Sequence, residues 1–422
     1  MKLLLNSLNY SPELTGIGKY NGEMCSELIK SGFDVSVIVA PPYYPDWLVH
    51  NDYCSYWFAR SVEQGVKIIR CPLYVPKKVT TLKRLIHLTT FAVSSGLALF
   101  SKILSKPDVV LIVQPTLFCA PGVLLFCKLT GAKSVMHIQD YEINALFGLG
   151  LMGEGKIAHQ VKKAERWLMS KFDAVSTISY SMIENAQAKG ISKDKLIYFP
   201  NWSDTDFVTP ATDGNALKQE WGFSSTDKVI LYAGNIGKKQ GLEIVLEAAQ
   251  SFKEQADIKF VLVGAGAHAG ELRVLAKTMA LSNVFFKPLQ AWERVPEMLA
   301  LAAIHLVVQK KGAADAVLPS KLTNILSAGG HALVTAENDT ELGQLKENHP
   351  GIYTCVEPEC LTSFVNGLNE LLASDLSSYN CAARAYADQY LAKNKILDKF
   401  AEDIRSLVKD KVDDLNSEIL DN

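Results

Sequence analysis

The chain begins the same local pattern twice, and that repetition limits what it can fold into. From Lys2 the sequence runs through an apolar segment, LLLNSLNY, then a turn, SPELTGIG, then a helical stretch, KYNGEMCSELI. From Lys228 it does so again: KVILYA, GNIGKKQG, LEIVLEAA. A glycine turn between the carboxyl end of a strand and the start of a helix lets backbone N–H groups face a phosphate or a sugar. One such start heads each half of a 422-residue chain. The expectation is an α/β protein of two domains facing each other across a ligand site, each large enough to bury its own core.

Apolar, β-rich runs alternate with helical patterns throughout. They cover 35–39, 109–113, 134–138, 174–178, 196–199, 229–232, 259–263, 284–286, 305–308 and 332–335. Near-continuous Val/Ile/Leu runs between helices indicate strands buried on both faces of parallel sheets. Ile17, Tyr20, Met24 and Leu28 recur at helical spacing, and Gly32 suits the helix exit. The aperiodic stretch FPNWSD, from Phe199 to Asp204, follows a strand and precedes a polar segment, so it reads as the domain boundary. The predicted organisation is an acceptor-side domain over 1–204 and a nucleotide-sugar domain over 205–381. A helical segment with a charged tail follows over 382–422, packing back towards the first domain.

Charge is uneven along the chain. The first 205 residues hold 22 Lys+Arg against 16 Asp+Glu, a balance of +6; the rest hold 21 against 29, a balance of −8. A basic amino-terminal half fits an anionic partner such as a membrane surface or a lipid phosphate, or simply two solvated domains of unlike charge. The eight cysteines show no CxxC pair or metal-ligand spacing, which predicts reduced thiols. The start, MKLLLNSLNY, is too short and too polar for a signal peptide and reads as a buried strand. No run reaches the roughly 20 apolar residues of a spanning helix. The segment 82–104 comes near it, behind Lys77, Lys78, Lys83 and Arg84, and reads either as a helix lying on a membrane or as a buried helix with a basic end. Nearby Trp47, Tyr53, Tyr56, Trp57 and Phe58 fit an interface, an acceptor cleft or core packing.

Four motifs carry chemistry. Gly16-Ile17-Gly18 fails the dinucleotide fingerprint: Asn21 stands where a glycine is needed, and the following strand ends Val39-Ala40-Pro41 with no acid for a ribose. It is either a backbone cradle or a turn for close packing. Gly234-Asn235-Ile236-Gly237-Lys238-Lys239 offers glycines for close approach and two lysines to neutralise a diphosphate. Pro319-Ser320-Lys321-Leu322-Thr323-Asn324 reads as a helix start, with Ser320 as cap and Gly329-Gly330 as the stop. Its free N–H groups, the helix dipole and Lys321 favour an anion, and Asn324 stands one turn on, within reach of a ribose hydroxyl. His137, Asp140 and Glu142 gather at the end of a strand, where α/β sites form. Asp204-Thr205-Asp206 has the look of a metal-binding DxD but sits in the connector, so no metal is expected.

The ordered phrases PELTGIGKY, HIQDYE, FPNW, YAGNIGKKQGLE, LVGAG and LPSKLTNILSAGG resemble the retaining GT-B glycosyltransferases of the GT4 type, the large family that includes bacterial capsule and O-antigen enzymes. The likeness spans nearly the whole chain and is strongest to enzymes of colanic acid assembly. It implies a GT-B fold of two facing Rossmann-like domains with parallel sheets and a cleft between them. It also implies metal-independent, cofactor-independent transfer with retention. Donor diphosphate and nucleotide contacts are expected from Gly16, Gly18, Asn235, Lys238, Lys239, Gly264, Gly266, Ser320, Lys321, Leu322 and Asn324, and donor-sugar contacts from Gly312 and Asp315. Asp140 and Lys321 are the expected catalytic pair. Trp47, Tyr53, Lys83 and Arg84 are expected on the acceptor or membrane side. The expected partners are a nucleoside-diphosphate sugar, GDP-fucose favoured, an undecaprenyl-diphosphate-linked glycan, and the inner membrane surface approached from the cytoplasm. The chain departs from the family pattern at Ala316 and Asn324, where many members carry glutamates, and at Gln139, where many carry histidine. A sugar-nucleotide epimerase of GT-B shape and an inactive glycan- or lipid-binding relative are the alternative readings.

Overall fold

The computed structural model describes residues 1–13, 16–44, 47–78, 80–114, 117–141, 156–312 and 319–420. They form two compact units: Met1–Pro200 with Leu397–Asn422, and Asn201–Ile396. Both are Rossmann-like.

The first unit is built on eight strands: β1 (Lys2–Ser7), β2 (Asp34–Val39), β3 (Ala59–Glu63), β4 (Val66–Arg70), β5 (Val109–Gln114), β6 (Lys133–Ile138), β7 (Ala174–Thr177) and β8 (Leu196–Tyr198). They lie in the order β3-β4-β2-β1-β5-β6-β7-β8. All neighbours are parallel except β3 and β4, which form an antiparallel hairpin at the edge. Central β5 is buried at every residue, as its unbroken apolar run requires. The hairpin is a departure from the all-parallel expectation. β3 is almost entirely exposed and shows no apolar run, and its turn is made by Gln64 and Gly65, both at positive φ.

The second unit holds β9 (Lys228–Ala233), β10 (Ile258–Val263), β11 (Val284–Lys287), β12 (Ile304–Val307), β13 (Ala332–Thr335) and β14 (Thr354–Val356), in the order β11-β10-β9-β12-β13-β14. Every pairing is parallel. Counted from its own first strand this is 3-2-1-4-5-6, the dinucleotide-fold order. Its topological switch point lies between β9 and β12, and ligands of such sheets bind outside the carboxyl ends of the strands there.

The units part between Pro200 and Asn201, slightly ahead of the expected boundary. The carboxyl-terminal segment is not a third body, for it is divided between the two units at Ile396. Before that point, Ser203 pairs with the chain at Leu391 and Lys393, and the Lys393 ammonium holds Asp204. Beyond it, Phe400 stacks on Phe199 with centroids 3.8 Å apart, and Arg405 donates to the Ser31 carbonyl at 2.6 Å. No helix among the described residues is long and apolar enough to cross a membrane.

Candidate active site

The turn after β9 opens at the switch point of the second sheet. Gly234 has φ +148, and a methyl placed on it would sit 3.7 Å from the Lys321 side chain and 3.7 Å from the Tyr232 hydroxyl. Tyr232 donates to the Asn235 carbonyl at 2.7 Å, which fixes the turn from below. The turn after β10 is laced to it: Gly234 N–H donates to Val263 O, Ile236 N–H to Ala265 O, and His268 N–H to Ile236 O. Gly264 and Gly266 permit this approach. A Cβ on Gly264 would lie 1.9 Å from the Gly234 carbonyl oxygen, and one on Gly266 would lie 2.2 Å from that of Ile236.

The helix Ser320–Ser327 points its amino end at this turn through Lys321. The Lys321 ammonium lies 4.0 Å from the centroid of the Tyr232 ring. Burial pushes its pKa down to about 7. Among the described residues no carboxylate lies within ion-pair distance of it. A cation held against an aromatic face and left without an acid is a receptor for an anion. An arriving diphosphate restores the charged form, because an opposite charge within a few ångströms favours ionisation. The far end of the same helix is anchored by Arg384, which donates to Ser327 O at 2.7 Å, Val208 O at 3.0 Å and Thr205 O at 3.0 Å. That cation also complements the negative end of the helix dipole.

Other cations ring the turn at lower depth. Lys238 is exposed and pairs with Glu271 at 3.5 Å. Lys239 is exposed, and its carbonyl accepts from the Lys310 N–H at 3.1 Å. Lys310 follows β12, on the other side of the switch point, with its stem packed on Gly241.

The corresponding turn of the first unit is organised around an acid. Glu13 is buried and accepts the N–H groups of Tyr43 and Tyr44, both at 3.1 Å, and the Asn9 amide at 2.9 Å. Burial pushes its pKa up. Gly18 is buried against it: a Cβ there would come within 2.6 Å of the Glu13 side chain. Asn21 donates to Ser7 Oγ and to Asn9 O, both at 2.9 Å, tying helix α1 (Gly16–Lys30) to the end of β1. One cavity adjoins this turn, and a second shares Trp47 with it. One, of about 220 Å³, is lined by Gly16, Gly18, Tyr43, Trp47, Arg84 and His87 among others. The other, of about 840 Å³, is an apolar groove between the Trp47–Phe58 region and helix α2 (Thr81–Phe100). Trp47 borders both.

Two family models divide the chain between them: "Glycosyl transferase 4-like domain" matches residues 15–202, and "Glycosyl transferases group 1" matches residues 213–388. The chain is 49% identical over 410 residues to a protein of Escherichia coli (strain K12) named as colanic acid biosynthesis glycosyl transferase WcaI, covering 96% of this chain and 100% of that one. It belongs to the GT4-type glycosyltransferases of the GT-B fold. The fold is shared with sucrose-phosphate synthase from Thermosynechococcus elongatus, at TM-score 0.75 and 13% identity over 96% of this chain and 98% of that one. It is shared too with Anabaena Alr3699/HepE, solved in complex with UDP, at TM-score 0.69 and 14% identity over 96% and 100%.

In this glycosyltransferase the expected donor residues do not all occupy the expected positions. Gly234, Asn235 and Lys321 come together, with Leu322 buried behind them. Gly264 and Gly266 let one turn pack closely on another. Gly18 likewise packs on Glu13. The N–H groups of Gly234 and Ile236 are used internally, and that of Gly237 donates to the Gln240 side chain at 3.1 Å. Ser320 is not the cap: Pro319 holds that position, no side chain caps the helix, and Ser320 is its first residue. Asn324 accepts from Ser203 Oγ at 2.8 Å, so its oxygen is engaged and its amide NH₂ remains for a hydroxyl. Gly312 has an open left-handed turn at φ +72, while Asp315, Ala316 and Glu142 lie outside the described residues.

On the first unit, Asp140 is exposed just beyond β6, two strands from β1 at the same edge of the sheet. His137 is buried: its ring meets Ser176 Oγ at 2.9 Å and the Gln139 amide at 2.9 Å, and burial pushes its pKa down to about 3. It is a neutral structural residue, and Gln139 serves to satisfy it. Trp47 and Arg84 do reach the small cavity with Gly16 and Gly18. Tyr53 lies elsewhere, under the Arg70 guanidinium at 4.8 Å, and exposed Lys83 lines neither cavity. Glu13 and Lys310 were missed by the sequence reading. The signal for Lys310 was its place after a buried strand, in line with the glycine turn of β9.

Proposed function

We propose that this glycosyltransferase moves a sugar from a nucleoside-diphosphate sugar, GDP-fucose favoured, to a lipid-diphosphate-linked oligosaccharide in an exopolysaccharide pathway of the colanic acid type. The observation that carries the reading is Lys321: a half-buried lysine whose ammonium lies against Tyr232, beside Gly234, with no acid paired to it among the described residues. The departing diphosphate develops negative charge as the bond to the anomeric carbon breaks. Lys321 meets that charge, aided by Lys310, Lys238, Lys239 and the amino end of the helix Ser320–Ser327. On this reading the electrostatic work falls on side chains, with retention at the anomeric carbon and without a metal. Asp204, the first acid of the DxD, is held by Lys393 and accepts from the Phe207 N–H at 3.1 Å, a structural use that supports the same reading. The amide of Asn324 takes a ribose hydroxyl, Gly312 borders the sugar, and Asp140 is the acid proposed to orient the reacting groups.

The 49% identity to the colanic acid protein, spanning all of its length, supports the pathway. The excess of cations in the first 205 residues, with Lys77, Lys78, Lys83 and Arg84 clustered before or within α2, supports work at the cytoplasmic face of an anionic membrane. The test is release of nucleoside diphosphate from GDP-, UDP- and TDP-sugars, with and without lipid-linked acceptor. The reading expects acceptor-dependent release from one donor, GDP-fucose first, and thermal stabilisation by that donor alone. Release of an epimer from donor without acceptor, or no donor use at all, rejects it. Replacing Lys83 and Arg84 by Glu should free the protein from anionic vesicles; equal binding by the variant removes the membrane part.

A further inference from the structure

Asp140 stands between two anchored neighbours. The Gln139 amide meets the His137 ring at 2.9 Å, and that ring meets Ser176 Oγ at 2.9 Å. Tyr141 is buried, and its hydroxyl donates to the Met182 carbonyl at 2.8 Å. Of these three consecutive residues only Asp140 is exposed. An anchor on each side leaves the backbone of Asp140 little freedom, so the anchors decide where its carboxylate stands.

The anchor on Tyr141 carries charge. The Lys189 ammonium lies 4.1 Å from the centroid of the Tyr141 ring and donates to the Glu165 carboxylate at 2.7 Å. The Lys189 and Glu165 side chains are only 10% and 3% exposed, so this is a buried ion pair. Burial pushes the Lys189 pKa down, and the bond to Glu165 opposes that shift. Glu165 belongs to the helix Lys156–Ser170, and Lys189 closes the helix Tyr180–Ala188. One ion pair thus ties two helices to the residue after Asp140. For stability alone, apolar side chains of similar volume often serve as well or better, because both ions must shed water. They differ in how well they fix a position. An ammonium bonded to a carboxylate and seated on a ring has few alternative arrangements, whereas a flexible apolar side chain has many. The pair therefore contributes position more than stability.

We propose that the buried Glu165–Lys189 pair, acting through the Tyr141 ring, positions Asp140 for the transfer reaction. This rests on the reading of Asp140 given above, as the acid that orients the reacting groups, and names what holds it in place. Glu165, Lys189 and Tyr141 are positioning residues. Misplacement by about 1 Å can lower turnover by about a hundredfold. A looser anchor therefore acts on kcat, while the donor diphosphate, met by Lys321, keeps its KM.

The test uses the full chain and compares three variants with the parent: Asp140→Asn, the pair Glu165→Met with Lys189→Met, and all three substitutions together. Turnover is read as nucleoside diphosphate released from GDP-fucose, or from whichever UDP- or TDP-sugar the parent uses, with lipid-linked acceptor present. Replacing both ions removes the pair without leaving a lone buried charge, so the melting temperature should stay within about 3 °C of the parent or rise. The kcat of this double variant should nonetheless fall by about tenfold or more at unchanged donor KM. The triple variant should be no slower than Asp140→Asn, because the pair acts through that acid alone. Tyr141→Phe keeps the ring under the ammonium and should lose less than about threefold in kcat, while Tyr141→Leu should lose about tenfold. A parent-like kcat in the double variant overturns the proposal, as does a triple variant in which the two losses multiply. A melting temperature lowered by more than about 5 °C in the double variant also overturns it, and assigns the pair to stability. Failure of the broader reading shows separately: Asp140→Asn with the activity of the parent, or a parent that uses none of the donors, rejects that reading, and the proposal falls with it.

Discussion

The two glycine turns are alike in sequence position and opposite in charge. The turn after β1 is wrapped around a buried carboxylate, Glu13, which accepts two backbone N–H groups and an amide. The turn after β9 packs against the half-buried Lys321, which has no acid beside it among the described residues. The same strand–turn–helix geometry therefore packs on an acid in one unit and on a base in the other. On the proposed function, the ionisable residue packed against each turn, rather than the local fold, sets which turn takes the diphosphate.

The contrast can be broken from either side. The largest effect is expected from Gly264→Ala. The new Cβ meets a carbonyl oxygen and the φ of +145 is strained, so the second turn should lose about 3 kcal/mol or more of stability by thermal unfolding. Lys321→Ala comes next. Loss of a charge-assisted contact of about 1.5–3 kcal/mol should lower kcat/KM for the donor by roughly tenfold to a hundredfold. Glu13→Ala should cost about 1–3 kcal/mol of stability, through unsatisfied amides, with nucleotide affinity intact. Gly16→Ala, where φ is +60 and nothing crowds the new methyl, should cost only about 1–2 kcal/mol. Smallest is Lys238→Ala: its pair with Glu271 is exposed, and the change in donor kcat/KM should stay below about fivefold.

A pH dependence sharpens the same point. The Lys321 pKa is about 7 in the folded protein and 10.5 when unperturbed. Between those values the unfolded chain binds more protons, so stability without ligand rises with pH across that window and levels off below it. Lys321→Met should flatten this rise and melt higher than the parent near neutral pH. Donor affinity in the parent should fall as pH climbs above about 7, because binding then requires proton uptake. A donor affinity independent of pH from 7 to 9 argues against a neutral Lys321 in the unliganded state.

The sheets were legible because their strands are unbroken apolar runs, as at 109–113 and 259–263. The edge hairpin was not, for β3 carries no apolar run and its turn is Gln64-Gly65 rather than Asn-Gly. At the site, Gly234, Asn235 and Lys321 were found from glycine spacing and the helix start. What sequence does not display is which partner a polar atom has already taken. Asn324 is engaged by Ser203, the N–H groups of Gly234 and Ile236 by the neighbouring turn, and His137 by Ser176 and Gln139. Glycines had the same ambiguity: Gly264, Gly266 and Gly18 have space only because another chain segment fills it.

The central claim, that the diphosphate is held by the second turn through Lys321, is tested most directly by titrating GDP and UDP into the parent, Lys321→Met and Gly16→Ala proteins by calorimetry at pH 7. The account predicts that the parent binds one of the two, that Lys321→Met binds it at least tenfold more weakly, and that Gly16→Ala binds it as the parent does. Unchanged affinity in Lys321→Met, or loss of binding in Gly16→Ala alone, would contradict it.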